Sequence, residues 1–173
     1  MLKGFIFLCL LLVSTISFAQ SGQKFGIGVL LGDPTALSGK FLFGSNQAVD
    51  GGIAFSKHYT LVFADYLQQF PGALGKQNSF VARLTPYIGI GPLFAFNDHD
   101  HDHDGDKHNH NNHDDYFGDD DDDFGLGARI PFGIEWMAPN IPLGISLELV
   151  PGLMIIPHTN AFLQAGLAIR YYF

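Results

Sequence analysis

The stretch "AFLQAGLAIRYYF" (161–173) repeats with a period of two. Leu163, Ala165, Leu167, Ile169, Tyr171 and Phe173 fall on one face, and all are apolar. Phe162, Gln164, Gly166, Ala168, Arg170 and Tyr172 fall on the other, which is small or polar. Alternation of this kind belongs to a β-strand, where successive side chains point to opposite faces. The same rhythm recurs along most of the chain. It restricts the fold to a sheet whose two sides differ in chemistry.

In 143–149, Leu143, Ile145, Leu147 and Leu149 alternate with Gly144, Ser146 and Glu148. In 124–136, Phe124, Leu126, Ala128, Ile130, Phe132, Ile134 and Trp136 oppose Gly125, Gly127, Arg129, Pro131, Gly133 and Glu135. In 80–91, Arg83, Thr85, Tyr87, Gly89 and Gly91 oppose Phe80, Ala82, Leu84, Ile88 and Ile90. Less regular strands are expected at about 25–32, 36–43, 48–56 and 59–69, which makes eight. Beyond the N-terminal segment there is no helical periodicity and no run of 18 apolar residues, so a helical membrane protein is excluded.

Eight antiparallel strands with one apolar face fit two architectures. In a soluble lipocalin-like barrel the large apolar residues point inward, around a small ligand. In a membrane barrel they point outward to lipid, and Gly, Ala, Ser and charged residues fill the inside. The uninterrupted apolar faces favour the second. The expected fold is all-β: an eight-stranded antiparallel up-and-down transmembrane β-barrel. Asp65, Arg83, Arg129, Glu135, Glu148 and Arg170 are expected inside as buried ion pairs, because eight strands enclose room only for side chains. Pro86, Pro92, Pro131, Pro151 and Pro157 are expected at bulges or strand ends, since proline removes a ladder donor.

The first residues read as a secretory signal peptide. Lys3 supplies the positive start, Phe5–Val13 the apolar run, and Ser17 and Ala19 the small residues of a cleavage site. Cleavage after Ala19 gives domains of 1–19 and 20–173 and removes Cys9, the single cysteine. An exported chain with no disulfide needs another source of stability, and a closed hydrogen-bonded barrel is one.

Several segments carry a family resemblance: "GIGVLLGDPTALSGKF", "FADY", "PFGIEWMAPNIPLGISLELVPGLMIIP" and "AGLAIRYYF". They resemble a family of small, uncharacterised bacterial outer-membrane β-barrel proteins, porin-like and eight-stranded. The last strand, ending in Phe173, is similar to the terminal signal read by the barrel-assembly machinery. The resemblance implies fold, outer-membrane lipid as surroundings and assembly machinery as partner; a monomer is expected. It implies no chemistry.

The remaining feature is "NDHDHDHDGDKHNHNNHDDYFGDDDDDFG" (97–125). It holds six of the eight histidines and twelve of the seventeen acidic residues, and with Lys107 it carries −11. Outside it and the signal, seven bases and five acids leave +2, so the low pI belongs to one loop. No basic patch exists for nucleic acid. Counted from a periplasmic N-terminus, the segment follows strand five and is extracellular, as a loop over 97–123. Imidazole suits zinc, copper and nickel, and carboxylates suit calcium. The expected donors are His99, His101, His103, His108, His110 and His113, with Asp98, Asp100, Asp102, Asp104 and Asp106. Asp100, Asp102, Asp104 and Gly105 match half of a calcium loop, but Asn111 stands where its bidentate Glu belongs. Like charges in a row also suit a merely extended, solvated segment.

Enzyme motifs are weak. His58 near Ser56 and His158 beside Thr159 are expected on the external rim, where some outer-membrane lipid enzymes place their His/Ser pair. No G-x-S-x-G or glycine-rich phosphate loop is present. The expectation is a non-enzymatic barrel.

Overall fold

The computed structural model describes residues 24–56, 59–75, 77–97 and 124–173. Among them the chain forms β1 (Phe25–Asp33), β2 (Ala36–Leu42), β3 (Gln47–Phe55), β4 (Tyr59–Gln69), β5 (Leu84–Asn97), β6 (Phe124–Arg129), β7 (Phe132–Met137), β8 (Leu143–Ile156) and β9 (Asn160–Tyr172). All pairings are antiparallel. Sequential neighbours pair except β6 and β7, which both pair β5 and β8; β9 pairs β1, and β4 pairs both β3 and β5, so the sheet closes into a ring.

Nine strands occupy eight courses. From Gly91↔Arg129 to Ile88↔Phe132 three residues pass on each side, so β6 and β7 share one register against β5. The break between them is Ile130–Pro131, where proline lacks the N–H that the ladder requires. The course is held there by two bonds across it. The Gly89 N–H donates to the Pro131 carbonyl at 2.8 Å, and the Ile130 N–H to the Pro151 carbonyl at 2.9 Å. Pro92 also marks an interruption: the β4–β5 ladder is bridged at Phe63↔Leu93 and next at Tyr66↔Ile90. Pro157 follows the end of β8. Pro86 and Pro151 instead lie within β5 and β8, against the expectation, and each keeps its carbonyl bonded, Pro86 to the Phe70 N–H.

One boundary differs from the sequence reading. The strand expected from residue 80 starts at Leu84, after a 3-10 turn over Val81–Arg83. Arg83 is therefore exposed at the end of the barrel, not inside it. Alternation carried through residues 80–83 had put it on the inner face.

The stagger of the ring follows from its registers. Partners lead from Arg170 through Gly28, Ser38, Gly52, Phe63, Leu93, Gly127 and Met154 to Asn160. One circuit thus returns to β9 ten residues from its start. An offset of this size tilts the strands by roughly 40° from the barrel axis. The chain's alternation is resolved as well. Ser38, Lys40, Asp50, Asp65, Arg129, Glu135, Ser146, Glu148, Gln164 and Arg170 are buried within the ring. Most large apolar residues lie outside: among the described residues twenty-nine are exposed, including Leu37 and Phe55 at 62% and Leu163 at 66%. A soluble lipocalin-like barrel has the opposite arrangement and does not fit.

Closure needs glycine where β1 meets β9. A Cβ on Gly28 would stand 1.8 Å from the Ile169 carbonyl oxygen and 2.7 Å from the Arg170 Cα. Gly39 has nothing nearer than 3.8 Å. Gly28→Val should therefore destabilise the barrel by about 1–3 kcal/mol, the usual cost of overpacking. Gly39→Ala should leave the urea midpoint of heat-modifiable gel migration unchanged.

Candidate functional site

Every course of the barrel except β1 sends at least one polar side chain into the middle of the ring. Arg170 on β9 is the hub. Its Nη2 lies 2.6 Å from Asp50 Oδ2 and 3.4 Å from Glu148 Oε1. Its Nε donates to Ser38 Oγ at 2.9 Å and its Nη1 to Ser146 Oγ at 3.1 Å. The Ser38 hydroxyl donates in turn to Asp50 Oδ1 at 3.2 Å. Arg170 thus joins β9 to β2, β3 and β8.

Two further groups extend this lattice. Lys40 Nζ reaches Glu135 Oε2 at 2.8 Å, and the Tyr172 hydroxyl donates to Glu135 Oε1 at 2.6 Å. Lys40 also lies 4.7 Å from the centre of the Tyr87 ring, and the Tyr87 hydroxyl donates to Glu148 Oε1 at 2.6 Å. Towards the end that carries the 98–123 segment, Arg129 Nε stands 3.1 Å from Asp65 Oδ2. That contact is one of charge, because neither Arg129 Nε nor Asp65 Oδ1 has an aligned hydrogen bond. Arg129 Nη1 donates to Gln164 Oε1 at 3.1 Å, and its guanidinium lies 3.9 Å from the centre of the Phe63 ring. Among the described residues three cations and four carboxylates are buried together, a near balance that burial of charge demands.

Apolar side chains close the space on either side. Leu30, Ala36, Ala54, Tyr59, Leu61, Phe63, Leu93, Ala95, Met154, Phe162 and Ala168 fill the half nearer the 98–123 segment. Ala48, Leu67 and Tyr87, with Leu42, pack on the other side. A cavity of ≈ 10 Å³, room for about one water, remains beside Arg129, Glu148 and Gln164. The interior is a packed plug.

Asp65, Arg129, Glu135, Glu148 and Arg170 are where their alternation put them. Lys40 and Asp50 belong to the same lattice and were missed. Their signal was present: Ser38 and Lys40, and Ala48 and Asp50, sit at every second position of β2 and β3. The glycines around them blurred the pattern. The proposed metal donors, His99 to His113 and Asp98 to Asp106, lie outside the described residues. Their segment joins β5 to β6, as its place after the fifth strand implied. His58 also lies outside the described residues, and His158 is exposed in the β8–β9 turn. Among the described residues no three His, Cys, Asp or Glu side chains are gathered as a metal site.

No protein-family model and no curated protein matches the chain. Among solved structures it is similar to the N-terminal β-barrel domain of Pseudomonas aeruginosa OprF. The TM-score is 0.52 at 13% identity, over 87% of this chain and 96% of that one. The likeness is one of fold. It extends over nearly the whole OprF domain, so the ring of courses is shared as a unit.

The lattice makes a sharp stability prediction. Arg170→Met strands the carboxylates of Asp50 and Glu148, and removing one partner of a buried ion pair costs about 3–5 kcal/mol. Adding Asp50→Asn to that variant should recover part of the loss. Urea unfolding of the two variants reads the difference.

Proposed function

We propose that the protein is a monomeric, non-enzymatic barrel of the bacterial outer membrane. It holds the His/Asp-rich 97–123 loop at the cell surface to take up divalent cations. The observation that carries the membrane reading is the inversion of the ring, with ion pairs inside and large apolar residues outside. A monomer in water does not expose so much apolar surface. In lipid every backbone group must be paired internally, and a closed ring of strands meets that demand.

Aromatic residues support it further. Near the chain termini, Phe43 contacts Tyr66, Phe80 contacts Trp136 and Tyr171 contacts Phe173, at ring separations of 6.1, 5.9 and 5.1 Å. At the other end Phe124 lies between Phe94 and Phe96, 6.3 and 5.7 Å away. Trp136 and Phe124 are twelve residues apart on one course, which is ~30 Å at a tilt near 40° and close to the height of a membrane barrel's apolar band. In this reading the termini are periplasmic and Phe173 ends the strand that the assembly machinery takes up.

The packed interior argues for a scaffold and against a pore. The part left to act is the exposed loop, with alternating imidazole and carboxylate donors suited to zinc, nickel or copper, and more weakly to calcium. Two experiments test the proposal. Zinc titrated into the purified barrel should be taken up by the full chain and not by a variant lacking 98–123, with gel migration unchanged by the deletion. Equal uptake by both overturns the metal role. Leu147→Arg, on the outer face, should destabilise the barrel in lipid by about 2–4 kcal/mol. An unaffected barrel overturns the membrane role.

A further inference from the structure

The eight courses are of unequal height. β1, β2 and β3 have 9, 7 and 9 residues, whereas β5, β8 and β9 have 14, 14 and 13. The shortfall lies at one end. At the end near the termini the ring is bound all round: Phe173 N–H donates to the Phe25 carbonyl, Leu42 N–H to the Lys24 carbonyl and Gln69 N–H to the Asn46 carbonyl, each at 2.7 Å. At the loop end the β1–β9 ladder stops at Asp33↔Ala165, while β9 runs five residues further, to Asn160. Those five residues climb ~12 Å along the axis, and the slant of one sideways step recovers about 3 Å. The β1–β2 turn therefore sits roughly 10 Å below the β8–β9 turn.

We infer that this low wall forms a notch in which the outer leaflet thins, so that lipid headgroups and water descend to the β1–β2 turn. The inference rests on the membrane reading above. From Phe43 to Leu37 the outer face of the β2 wall has six residue steps, ~15 Å, about half of what a full hydrocarbon layer needs. A bilayer of full height would put Asp33, Pro34 and Thr35 in hydrocarbon. Mismatch of this kind is relieved by local thinning at modest cost.

The small internal cavity sits at the foot of the notch. Asp33, Pro34 and Ala36 at the lip line it together with Arg129, Glu148 and Gln164. Polar headgroups reaching the lip put the outermost buried ion pair, Arg129 with Asp65, next to a hydrated layer. Charges that the tall courses shield are separated from the membrane surface here by one turn.

Nitroxide labels test this. Thr35→Cys, Thr159→Cys and Ile90→Cys are each made in a chain carrying Cys9→Ser, and the protein is inserted into dimyristoyl phosphatidylcholine vesicles. Collision with oxygen reports hydrocarbon, and collision with a water-soluble nickel chelate reports the aqueous side. The expected result is hydrocarbon at Ile90, with the Thr35 label as open to the chelate as the Thr159 label. Hydrocarbon at both Ile90 and Thr35 leaves the membrane barrel standing and overturns the thinning. A Thr35 label shielded from both reagents overturns it too, since protein then covers the notch. An aqueous reading at Ile90 overturns the membrane barrel itself.

Discussion

The contact between Arg170 and its carboxylates is the one on which the rest of the barrel depends. An eight-course ring is too narrow to keep a water column and too closed to let charged side chains leave. A cation at position 170 must find its anions within reach, and it finds them on β3 and β8 while its remaining donors go to serines on β2 and β8. Four courses are thereby fixed in register by side chains as well as by backbone. Lys40 with Glu135 ties β2 to β7 across the ring, and Arg129 with Asp65 ties β6 to β4. A one-residue slip of any of these strands would send its charge to the outer face. The lattice therefore specifies which face is inside, which apolar patterning alone leaves open.

That division explains what the sequence could disclose. Alternation identified the faces of residues 143–149 of β8, of β9 and of the β6–β7 course, because apolar side chains mark one face there without interruption. In β2 and β3 the outer face carries Gly39 and Gly51, and the inner face carries Ser38, Lys40, Ala48 and Asp50. Small residues on the outer side remove the contrast in size, so the inward charges did not stand out. Arg83 shows the reverse failure. The alternation extends past the strand into a 3-10 turn whose period is three, and parity there says nothing about the interior.

Strand count and course count also separate for a physical reason. Pro131 interrupts hydrogen bonding without shifting register, so β6 and β7 are two strands to the backbone and one to the barrel. Carbonyls accept on both sides of the break, which is how a proline is carried in a course paired on both edges. Pro86 and Pro151 show the same economy: each lies within a strand and spends its carbonyl on a neighbouring N–H.

The two unusual parts of the chain stand across the ring from one another. Around it the order is β1, β2, β3, β4, β5, the β6–β7 course, β8 and β9. The low wall is centred on β2, and the course opposite β2 is the one on which the 98–123 segment lands. The segment leaves from Asn97 and returns at Phe124, both at the top of the tall side. Its acidic charge has no counterpart among the described residues inside the barrel, where three cations already face four carboxylates. Tall courses at β5, β8 and β9 and short ones across the ring at β1, β2 and β3 tilt this rim of the barrel, so its two sides end at different heights.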